Sequence, residues 1–376
     1  MLDVFAQYEG CLEEMQRRLG PEHQKEFHVL RSRLIENLSH ARLYGDTPTR
    51  QSDRSMVLDT LNRLAQATLG MTFDSITKPA QLGASTSALD VIVYVALGEE
   101  FSLALKHFGK GFIGEEAPDL AVTVYRGKIP HVASQALTSV LIVPGGSMGN
   151  TRSSNLMSAF LSKHSARNVV ALGIAGSIGD DLQLGDVFIP HCVNEYMANA
   201  AGVGSDALTF IPSGNRLPTD PRLLNRTQFF HLKHAQLHQR WRQRAVRSWK
   251  SLVNTSMHRK LKAARINLRG FSKVISGDDR ILGSGPAVSK GLAFAQWLRQ
   301  TTRKTEAVEM ESAGVLDAAC VRSPAPRAYV IRGISDYGDD RKNVIETATK
   351  GAFRKLAIYA ATSYLVTEMR AGLFSS

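Results

Sequence analysis

The first 78 residues have a hydrophobic pattern that predicts helices. Apolar residues recur at helical spacing in two stripes, one formed by Phe27, Leu30, Leu34 and Leu38 and the other by Met56, Val57, Leu61, Leu64 and Leu69. The segment YGDTPT at residues 44–49 separates the stripes, because Gly45 and Pro48 interrupt a helix and the Thr and Asp side chains favour the start of the next one. We therefore predict two or three helices in a small all-α domain over residues 1–78.

After residue 88 the pattern changes to short apolar, β-branched runs that alternate with helical segments. The runs cover residues 89–97, 138–145, 168–176, 185–190, 271–277, 305–310 and 327–335. Most are nearly continuous in apolar character, which is typical of strands buried on both faces by helices. A last helix is expected over residues 344–370. We predict a three-layer α/β/α domain over residues 89–376, joined to the helical domain by a Pro-, Gly- and Ser-containing linker at residues 79–88.

Composition places the chain among ordinary globular proteins. Its 376 residues suit two domains, and 43% hydrophobic with 21% charged residues is a typical balance. No apolar run approaches the roughly 18 residues that span a bilayer, so a membrane is not an expected partner. The N-terminus carries acidic residues where a signal peptide would have a basic start and an apolar stretch. We expect a cytoplasmic protein.

The three cysteines give no sign of a disulfide framework or a metal site. Cys11, Cys192 and Cys320 are far apart and none is in CxxC spacing. We expect three reduced, mostly buried thiols. Because no His or Cys residues cluster at ligand spacing either, neither a metal nor another cofactor is predicted.

Positive charge is concentrated in one segment. The formal net charge is +12, and residues 221–277 alone contain 14 Lys or Arg and no Asp or Glu. Such density attracts polyanions, whether nucleic acid, an acidic membrane surface or a phosphorylated small molecule. A solvated helical face or a subunit contact explains it equally well. Nucleic acid is the less favoured partner, because the segment has no known recognition motif.

Candidate chemistry lies at the ends of two predicted strands. AVEMESAG (residues 307–314) ends its apolar run in acidic residues, and VIRGISDYGDDRKN (residues 330–343) does so about 25 residues later. GIAGSIGDDLQLGDVFIP (residues 173–190) and VISGDDRI (residues 274–281) precede them. In this order the four motifs resemble those of the nucleoside phosphorylase and nucleosidase superfamily, and the resemblance covers about residues 89–372. It implies an enzyme that breaks the N-glycosidic bond of a purine nucleoside.

The resemblance implies two catalytic carboxyl groups. Loss of a purine leaves positive charge on the sugar and negative charge on the base, so an acid is needed near N7 of the base. Asp336 has the place of that acid, and its neighbours Asp339 and Asp340 show that acids are dense there, which favours a raised pKa. Glu100, in the acidic pair that ends the first predicted strand, would orient the attacking water; Glu99 is the other member of the pair. As structural alternatives, Asp336 is a helix N-cap and Glu100 belongs to the acidic first turn of the following helix.

Substrate-binding residues follow from the same motifs. Glu311 would accept hydrogen bonds from the ribose hydroxyls and Met310 would pack on the sugar, although a Glu in this position is also often a cap or an ion-pair partner. The other implied contacts are Gly176 in the Gly-rich turn, Arg280 and Ile281 in the purine loop, and Ser335 beside the acid. For the phosphates of a nucleotide, the candidates are Arg152 in the loop PGGSMGNTRSSN (residues 144–155), whose backbone N–H groups can cradle an anion, together with Arg280, Arg341 and Lys342.

Two departures from the superfamily pattern indicate which nucleophile and which class of substrate to expect. Phosphorolytic members similar to the bacterial hexameric enzymes carry a phosphate-binding Arg just before the Gly-rich turn, where this chain has Ala171 and Leu172. Water is therefore the expected nucleophile. Arg280 replaces an aromatic residue that thiomethyl-adenosine nucleosidases place against the base. A guanidinium stacks on a purine or binds a phosphate, and the second role implies a nucleotide as the substrate.

The segment VIRGISDYGDDRKN is most similar to nucleosidase-like domains of immune effector proteins, some of which destroy ATP. Residues 43–76 resemble the small TRADD-N-like helical domains that precede bacterial conflict effectors and bind a protein partner. We predict hydrolysis of adenine nucleotides, ATP in particular, by an antiphage effector, and a homo-oligomer because the superfamily usually forms one. The alternatives are a methylthioadenosine or adenosylhomocysteine nucleosidase or a purine nucleoside phosphorylase of salvage, and a catalytically silent nucleotide sensor.

Overall fold

The computed structural model describes residues 2–44, 48–73, 76, 89–198, 201–203, 209–211, 214–266, 268–287 and 291–375. The chain divides into two compact units, residues 1–85 and residues 86–376. The expected linker at residues 79–88 and the centre of the turn at residues 44–49 lie outside the described residues. None of the described helices combines the length and the apolar character needed to cross a membrane.

The N-terminal unit contains three helices: α1 (Leu2–Arg18), α2 (Pro21–Tyr44) and α3 (Pro48–Leu69). Both predicted stripes contribute to its core, in which Phe27, Leu34 and Leu61 are fully buried. Met56 is an exception, with 56% of its surface exposed. Adjacent helical residues point about 100° apart, so Met56 faces outward while Val57 beside it is buried.

The second unit combines a large sheet with helices. Its strands in chain order are β1 (Leu89–Val95), β2 (Ile113–Ala117), β3 (Val122–Pro130), β4 (Leu137–Pro144), β5 (Ala166–Ser177), β6 (Val187–Ile189), β7 (Cys192–Glu195), β8 (Ala201–Val203), β9 (Thr209–Ile211), β10 (Asn215–Pro218), β11 (Val274–Ser276), β12 (Ile281–Ser284), β13 (Thr305–Glu309) and β14 (Arg327–Tyr337). Its helices are α4 (Gly98–Phe108), α5 (Asn150–Lys163), α6 (Pro221–Gln228), α7 (Phe230–Lys233), α8 (Ala235–Leu252), α9 (Thr255–Ala263), α10 (Leu292–Thr301), α11 (Ser312–Cys320), α12 (Arg341–Thr349) and α13 (Ala352–Arg370).

Twelve of the described strands form one mixed sheet, and β8 and β9 pair separately. The main path runs β10-β7-β12-β13-β5-β1-β4-β3-β2, while β14 pairs with β5 and β6, and β6 with β11. At its centre β1 is parallel to both β4 and β5. Every residue of β1 is buried. Helices therefore cover both faces of the sheet at this strand, as its nearly continuous apolar run predicted.

Alternate residues of β1 enter two different cores. Val91 and Val93 pack in a cluster with residues of α4, α8 and α13, whereas Ile92 and Tyr94 pack in a cluster with residues of α5 and α11. This alternation is the period of two expected of a strand. The predicted three-layer α/β/α architecture is confirmed.

Two strands meet at one residue of β5 and so define the site. In the parallel pair of β5 and β14, Asp336 is opposite Gly176, after a register irregularity between Ile334 and Asp336. In the antiparallel pair of β5 and β13, Val308 is opposite the same glycine. The residues that follow Val308 are therefore brought next to Asp336.

The structure corrects several expectations. The last helix, expected over residues 344–370, is two helices, because Lys350 and Gly351 both have positive φ (49° and 77°) and end α12 before α13 begins. The basic segment at residues 221–277 contains four helices, α6 to α9. Strands β2 and β3 were not predicted, since partly exposed strands at the edge of a sheet lack a continuous apolar run. Of the three free cysteines, Cys320 is exposed, because it ends α11 on the outside.

Candidate active site

A cavity of about 350 Å³ lies where β5, β13 and β14 meet the start of α4. Its lining consists of Leu97, Glu100, Met148, Ile174, Ala175, Gly176, Ala287, Val308, Glu309, Met310, Glu311, Ser335, Asp336, Gly338, Lys342, Glu346 and Arg354. Seven of the eleven candidate residues are in it: Glu100, Gly176, Met310, Glu311, Ser335, Asp336 and Lys342. We call this cavity the carboxylate pocket.

Asp336 has a buried carboxylate with two defined neighbours. The Ser335 hydroxyl donates a hydrogen bond to Oδ2 at 2.6 Å, and the Lys342 ammonium lies 3.2 Å from Oδ1. Gly176 leaves the space for this carboxylate, because a Cβ atom there would be 3.0 Å from Oδ1. Asp336 belongs to β14, and the N-cap position of α12 is held by Asp340. The alternative of a helix cap at Asp336 is therefore wrong.

Asp339 and Asp340, the acids expected to lie near Asp336, have other roles. Asp340 is the N-cap residue of α12, and Asp339 is paired with Arg341. Asp339 accepts hydrogen bonds from the Arg341 guanidinium, at 2.6 Å for the closest. That guanidinium lies over the Tyr337 ring, 3.8 Å from its centroid. Arg341 is thus held beside β14 by these two contacts, whereas the neighbouring Lys342 lines the carboxylate pocket.

A buried ion cluster beneath the pocket was missed by sequence reasoning. The Arg332 guanidinium, 1% exposed, donates to the carboxylate of Glu309 and, at 2.7 Å, to Oγ of Ser312. Its Nη1 lies 3.8 Å from Oε2 of Glu311. Glu309 interrupts the apolar run of its strand, in VEM, and Arg332 does the same in VIRG. A charged residue inside a buried apolar strand indicates a buried ion pair.

Glu309 also fixes the start of α11. Its Oε2 accepts the backbone N–H groups of Glu311 and Ser312, both at 3.0 Å. Glu311 occupies the N-cap position of that helix without a side-chain capping bond, so its carboxylate is available to the pocket. Burial, and then the neighbouring carboxylate of Glu309, raise the pKa of Glu311.

Glu100 reaches the pocket from a helix. The strand β1 ends at Val95, and the acidic pair is in the first turn of α4, so the expectation that a strand ends in this pair is wrong. The side chains of the pair point apart: Glu100 is buried in the pocket, whereas Glu99 is exposed and lies 3.5 Å from Arg354. Burial raises the pKa of Glu100 to about 7, against the opposing effect of Arg332. A carboxyl group with this pKa can exchange a proton near neutral pH.

Comparison with known proteins places this arrangement in a family. The sequence profile of the phosphorylase superfamily matches residues 90–367, which contain every strand of the large sheet except the first residue of β1. The chain belongs to the phosphorylase superfamily. The predicted nucleoside phosphorylase and nucleosidase membership is confirmed.

Individual relatives are more distant. The chain is similar to a curated protein named ATP nucleosidase Cap17 from Escherichia coli (strain KTE188), with 26% identity over 282 residues, which are 72% of this chain and 49% of the relative. The chain thus spans about half the length of the curated relatives it matches.

Solved structures with a similar fold include two hydrolases. One is the futalosine hydrolase of Helicobacter pylori strain 26695, with 18% identity, a TM-score of 0.49, and coverage of 74% of this chain and 96% of that one. Another is the 5′-methylthioadenosine/S-adenosylhomocysteine nucleosidase from Neisseria meningitidis, with 15% identity, a TM-score of 0.49, and coverage of 75% and 100%.

Besides Arg341, three candidate residues do not line the carboxylate pocket. Arg280 donates to Asp181 at 3.1 Å, lies 3.8 Å from Glu306 and lines a different cavity. Ile281 is buried in β12, between β7 and β13. Arg152 is exposed and donates to the carbonyl of Gly145 at 3.2 Å. Their expected contacts with substrate are therefore not supported by their positions.

Proposed function

We propose that this protein hydrolyses the N-glycosidic bond of adenine nucleotides, with ATP as its substrate. The observation that carries the proposal is the convergence of Glu100, Glu311 and Asp336 on one pocket that also contains Met310. Three buried carboxyl groups beside an apolar side chain suit a reaction in which the sugar becomes cationic while the base becomes anionic.

Asp336 is the acid in this proposal. The C1′–N9 bond breaks, its electron pair leaves with the base, and the proton of Asp336 goes to N7. The Ser335 hydroxyl at 2.6 Å and the Lys342 ammonium at 3.2 Å hold the carboxyl group in place. A water oxygen then bonds to C1′ and its proton goes to Glu100. The products are adenine and ribose 5-triphosphate, and atoms and charge balance.

The ribose is bound by the opposite side of the pocket. Glu311 accepts hydrogen bonds from the 2′- and 3′-hydroxyls, and Met310 packs on the sugar. Arg332 keeps Glu311 in place from below, while Glu309 orders the turn that carries it. Charge-assisted hydrogen bonds of this kind strengthen as positive charge develops on the ribose.

Water is the proposed nucleophile because the place for a phosphate-binding arginine is apolar. Ala171 and Leu172 are fully buried in β5. The guanidinium nearest to them along the sheet is that of Arg332, opposite Gly173, and its donors are engaged by Glu309 and Ser312. Among the described residues, the arginine that lines the pocket is Arg354, and it is paired with the exposed Glu99 at 3.5 Å. The comparison with and without phosphate described below therefore decides between water and phosphate as the nucleophile.

The proposal of ATP rests on the sequence departures and on the relative named ATP nucleosidase. It extends to a cytoplasmic homo-oligomer that acts in antiphage defence and binds a protein partner through helices α1 to α3.

The proposed reaction is tested with the purified protein. Incubation with ATP, AMP, adenosine and methylthioadenosine, with and without phosphate, is followed by chromatography of the products. Asp336→Asn is the test variant, and Asp340→Asn, an exposed acid four residues later, is its matched control.

We expect adenine from ATP, no dependence on phosphate, loss of activity in Asp336→Asn and full activity in Asp340→Asn. Adenine from the nucleosides alone would replace the proposal with a salvage nucleosidase, and a requirement for phosphate would make the protein a phosphorylase. Saturable ATP binding without base release would leave a nucleotide sensor. For the defence role, phage plating on cells that express the wild-type chain or Asp336→Asn must differ; equal plating would contradict it.

A further inference from the structure

A second cavity, of about 470 Å³, lies between α6, α8 and the segment that carries β11. It shares no lining residue with the carboxylate pocket. Its lining includes three cationic side chains, Arg242, Lys273 and Arg280, and no Asp or Glu. We call it the cationic cavity. Pockets of this volume enclose small molecules rather than polymers.

Two of its cations have no carboxylate partner among the described residues. Arg280 is neutralised by Asp181 and Glu306, whereas no ion pair is formed by Arg242 or Lys273 within the described part of the chain. The Phe271 ring holds both of them, with the Arg242 guanidinium 5.4 Å and the Lys273 ammonium 5.9 Å from its centroid. A third cation, Arg269, lies 5.5 Å from the same ring but is paired with Asp186. The charges of Arg242 and Lys273 repel each other, and a bound anion lowers that cost.

Two buried polar atoms in the lining also lack partners. Ser272 is 1% exposed, and its Oγ makes no hydrogen bond within the described residues; the same is true of Nδ1 of His238. A buried hydroxyl without a partner is costly, and natural proteins satisfy nearly all such groups. Ser272 and Lys273 both line the cavity, so one ligand can contact both.

Neither of two buried acids near the cavity opposes an anion. Asp186, which accepts the backbone N–H of Lys273, is paired with Arg269 at 2.9 Å, and Glu368 lies behind the cavity. Glu368 accepts a hydrogen bond from Thr227, which lines the cavity, at 2.8 Å. Burial raises the pKa of Glu368 to about 8, so the carboxyl group is mostly protonated and neutral at pH 7. The cavity wall therefore presents positive charge and hydrogen-bond donors at neutral pH.

We propose that the cationic cavity is a second ligand site, which binds a small phosphate-bearing molecule through Arg242, Lys273 and Ser272. Two cations and a hydroxyl match an anion with several oxygen atoms. Because no carboxyl group lines the cavity, the site binds its ligand without the acid and base chemistry proposed for the carboxylate pocket. The inference stands independently of that chemistry.

The test measures binding of inorganic pyrophosphate to the full chain by isothermal titration calorimetry. We expect one site per chain, and affinities about tenfold weaker in Arg242→Gln and in Lys273→Gln, as for loss of one charge-assisted contact. Both side chains are exposed, so both variants should fold. Ser272→Ala should weaken binding as well. Arg240→Gln is the matched control: it removes one exposed cation from the same helix, α8, outside the cavity lining.

Three results would overturn the proposal. Equal weakening by Arg240→Gln would show diffuse attraction to the basic surface, and loss of binding in Lys342→Gln, which removes a cation from the carboxylate pocket, would place pyrophosphate there. Absence of binding at about 1 mM pyrophosphate, well above the range of specific sites, would show that the cavity does not hold phosphate. Full binding in Arg240→Gln and Lys342→Gln, together with the losses in the cavity variants, supports the site whatever the outcome of the hydrolase experiment.

Discussion

Gly173 and Arg332 are directly opposed in the β5–β14 pair, and a Cβ atom at residue 173 would lie 2.0 Å from Nη1 of Arg332. The same position is 3.1 Å from Oε2 of Glu100. The missing side chain therefore allows a buried guanidinium and a buried carboxylate to approach each other beneath the pocket.

Gly173→Ala should impair the proposed reaction. The added methyl group must displace the Arg332 guanidinium, which in turn loses its contacts with Glu309 and Glu311, so we expect kcat/KM for adenine release to fall at least about tenfold and the Tm to drop. Gly111→Ala is the control, since nothing lies within 4 Å of a Cβ atom there. Equal activity of the two variants would show that the position of Arg332 is unimportant.

The pH dependence of the reaction should report Glu100. To accept a proton from water this carboxyl group must be ionised, and burial raises its pKa from 4.5 to about 7. Activity should therefore rise with pH through a midpoint near 7, because the protonated form that prevails at lower pH cannot act as a base. The measurement is kcat/KM for adenine release between about pH 5.5 and about pH 8.5. Glu100→Gln should abolish both the rise and most of the activity. Wild-type activity that is already at its plateau at about pH 5.5 would argue against this assignment.

Ser335→Ala should slow catalysis with little effect on substrate binding. The hydroxyl donates to Oδ2 of Asp336, and its loss leaves the carboxyl group free to rotate without removing a group from the ribose side. We expect kcat to fall about tenfold with little change in KM. Ser154→Ala, which removes an exposed hydroxyl bonded to Asp317, should change neither constant. A rise in KM alone would instead make Ser335 a substrate contact.

Glu368→Gln should stabilise the protein at alkaline pH. The folded state holds a proton on Glu368 up to a pKa of about 8, whereas the ordinary value is 4.5. Between these values the folded state binds more protons than the unfolded state, so stability falls as pH rises, by at most about 1.4 kcal/mol per pH unit for one group. A neutral Gln removes this slope and can keep a hydrogen bond to Thr227.

Urea unfolding at about pH 5 and about pH 8 measures the effect. The difference between variant and wild type should be larger at the higher pH. Glu116→Gln, at an exposed position, is the control and should leave the slope unchanged. A wild-type stability that does not fall across this range would show that Glu368 is ionised in the folded protein.

Prediction from the sequence was most successful where a single strand positions the site residue. The run over residues 327–335 is buried on both faces, so its apolar pattern identifies β14, and the acid that follows is positioned by that same strand. Glu311 and Met310 follow β13 in the same way. Local pattern and tertiary structure agree at these positions, which is why motif reasoning sufficed.

Contacts between distant segments could not be predicted. The pairing of Glu309 with Arg332 depends on two strands that are each joined to β5, and the sequence shows only that both residues are charged. Arg280 has the place of a substrate contact in the motif, but its main partner is Asp181, which lies 99 residues earlier in the chain. The end of α12 had a local signal in Gly351, whose positive φ favours glycine.

The sign of the protein's net charge depends on one segment. Residues 221–277 contribute +14 to a formal net charge of +12, so the remaining residues together carry −2. A chain that lacked this segment would be weakly anionic at neutral pH and would move from a cation exchanger to an anion exchanger. Colloidal behaviour, electrophoretic mobility and retention on ion-exchange media are thus set by α6 to α9 and the strand after them, while the carboxylate pocket is built entirely from residues outside that segment.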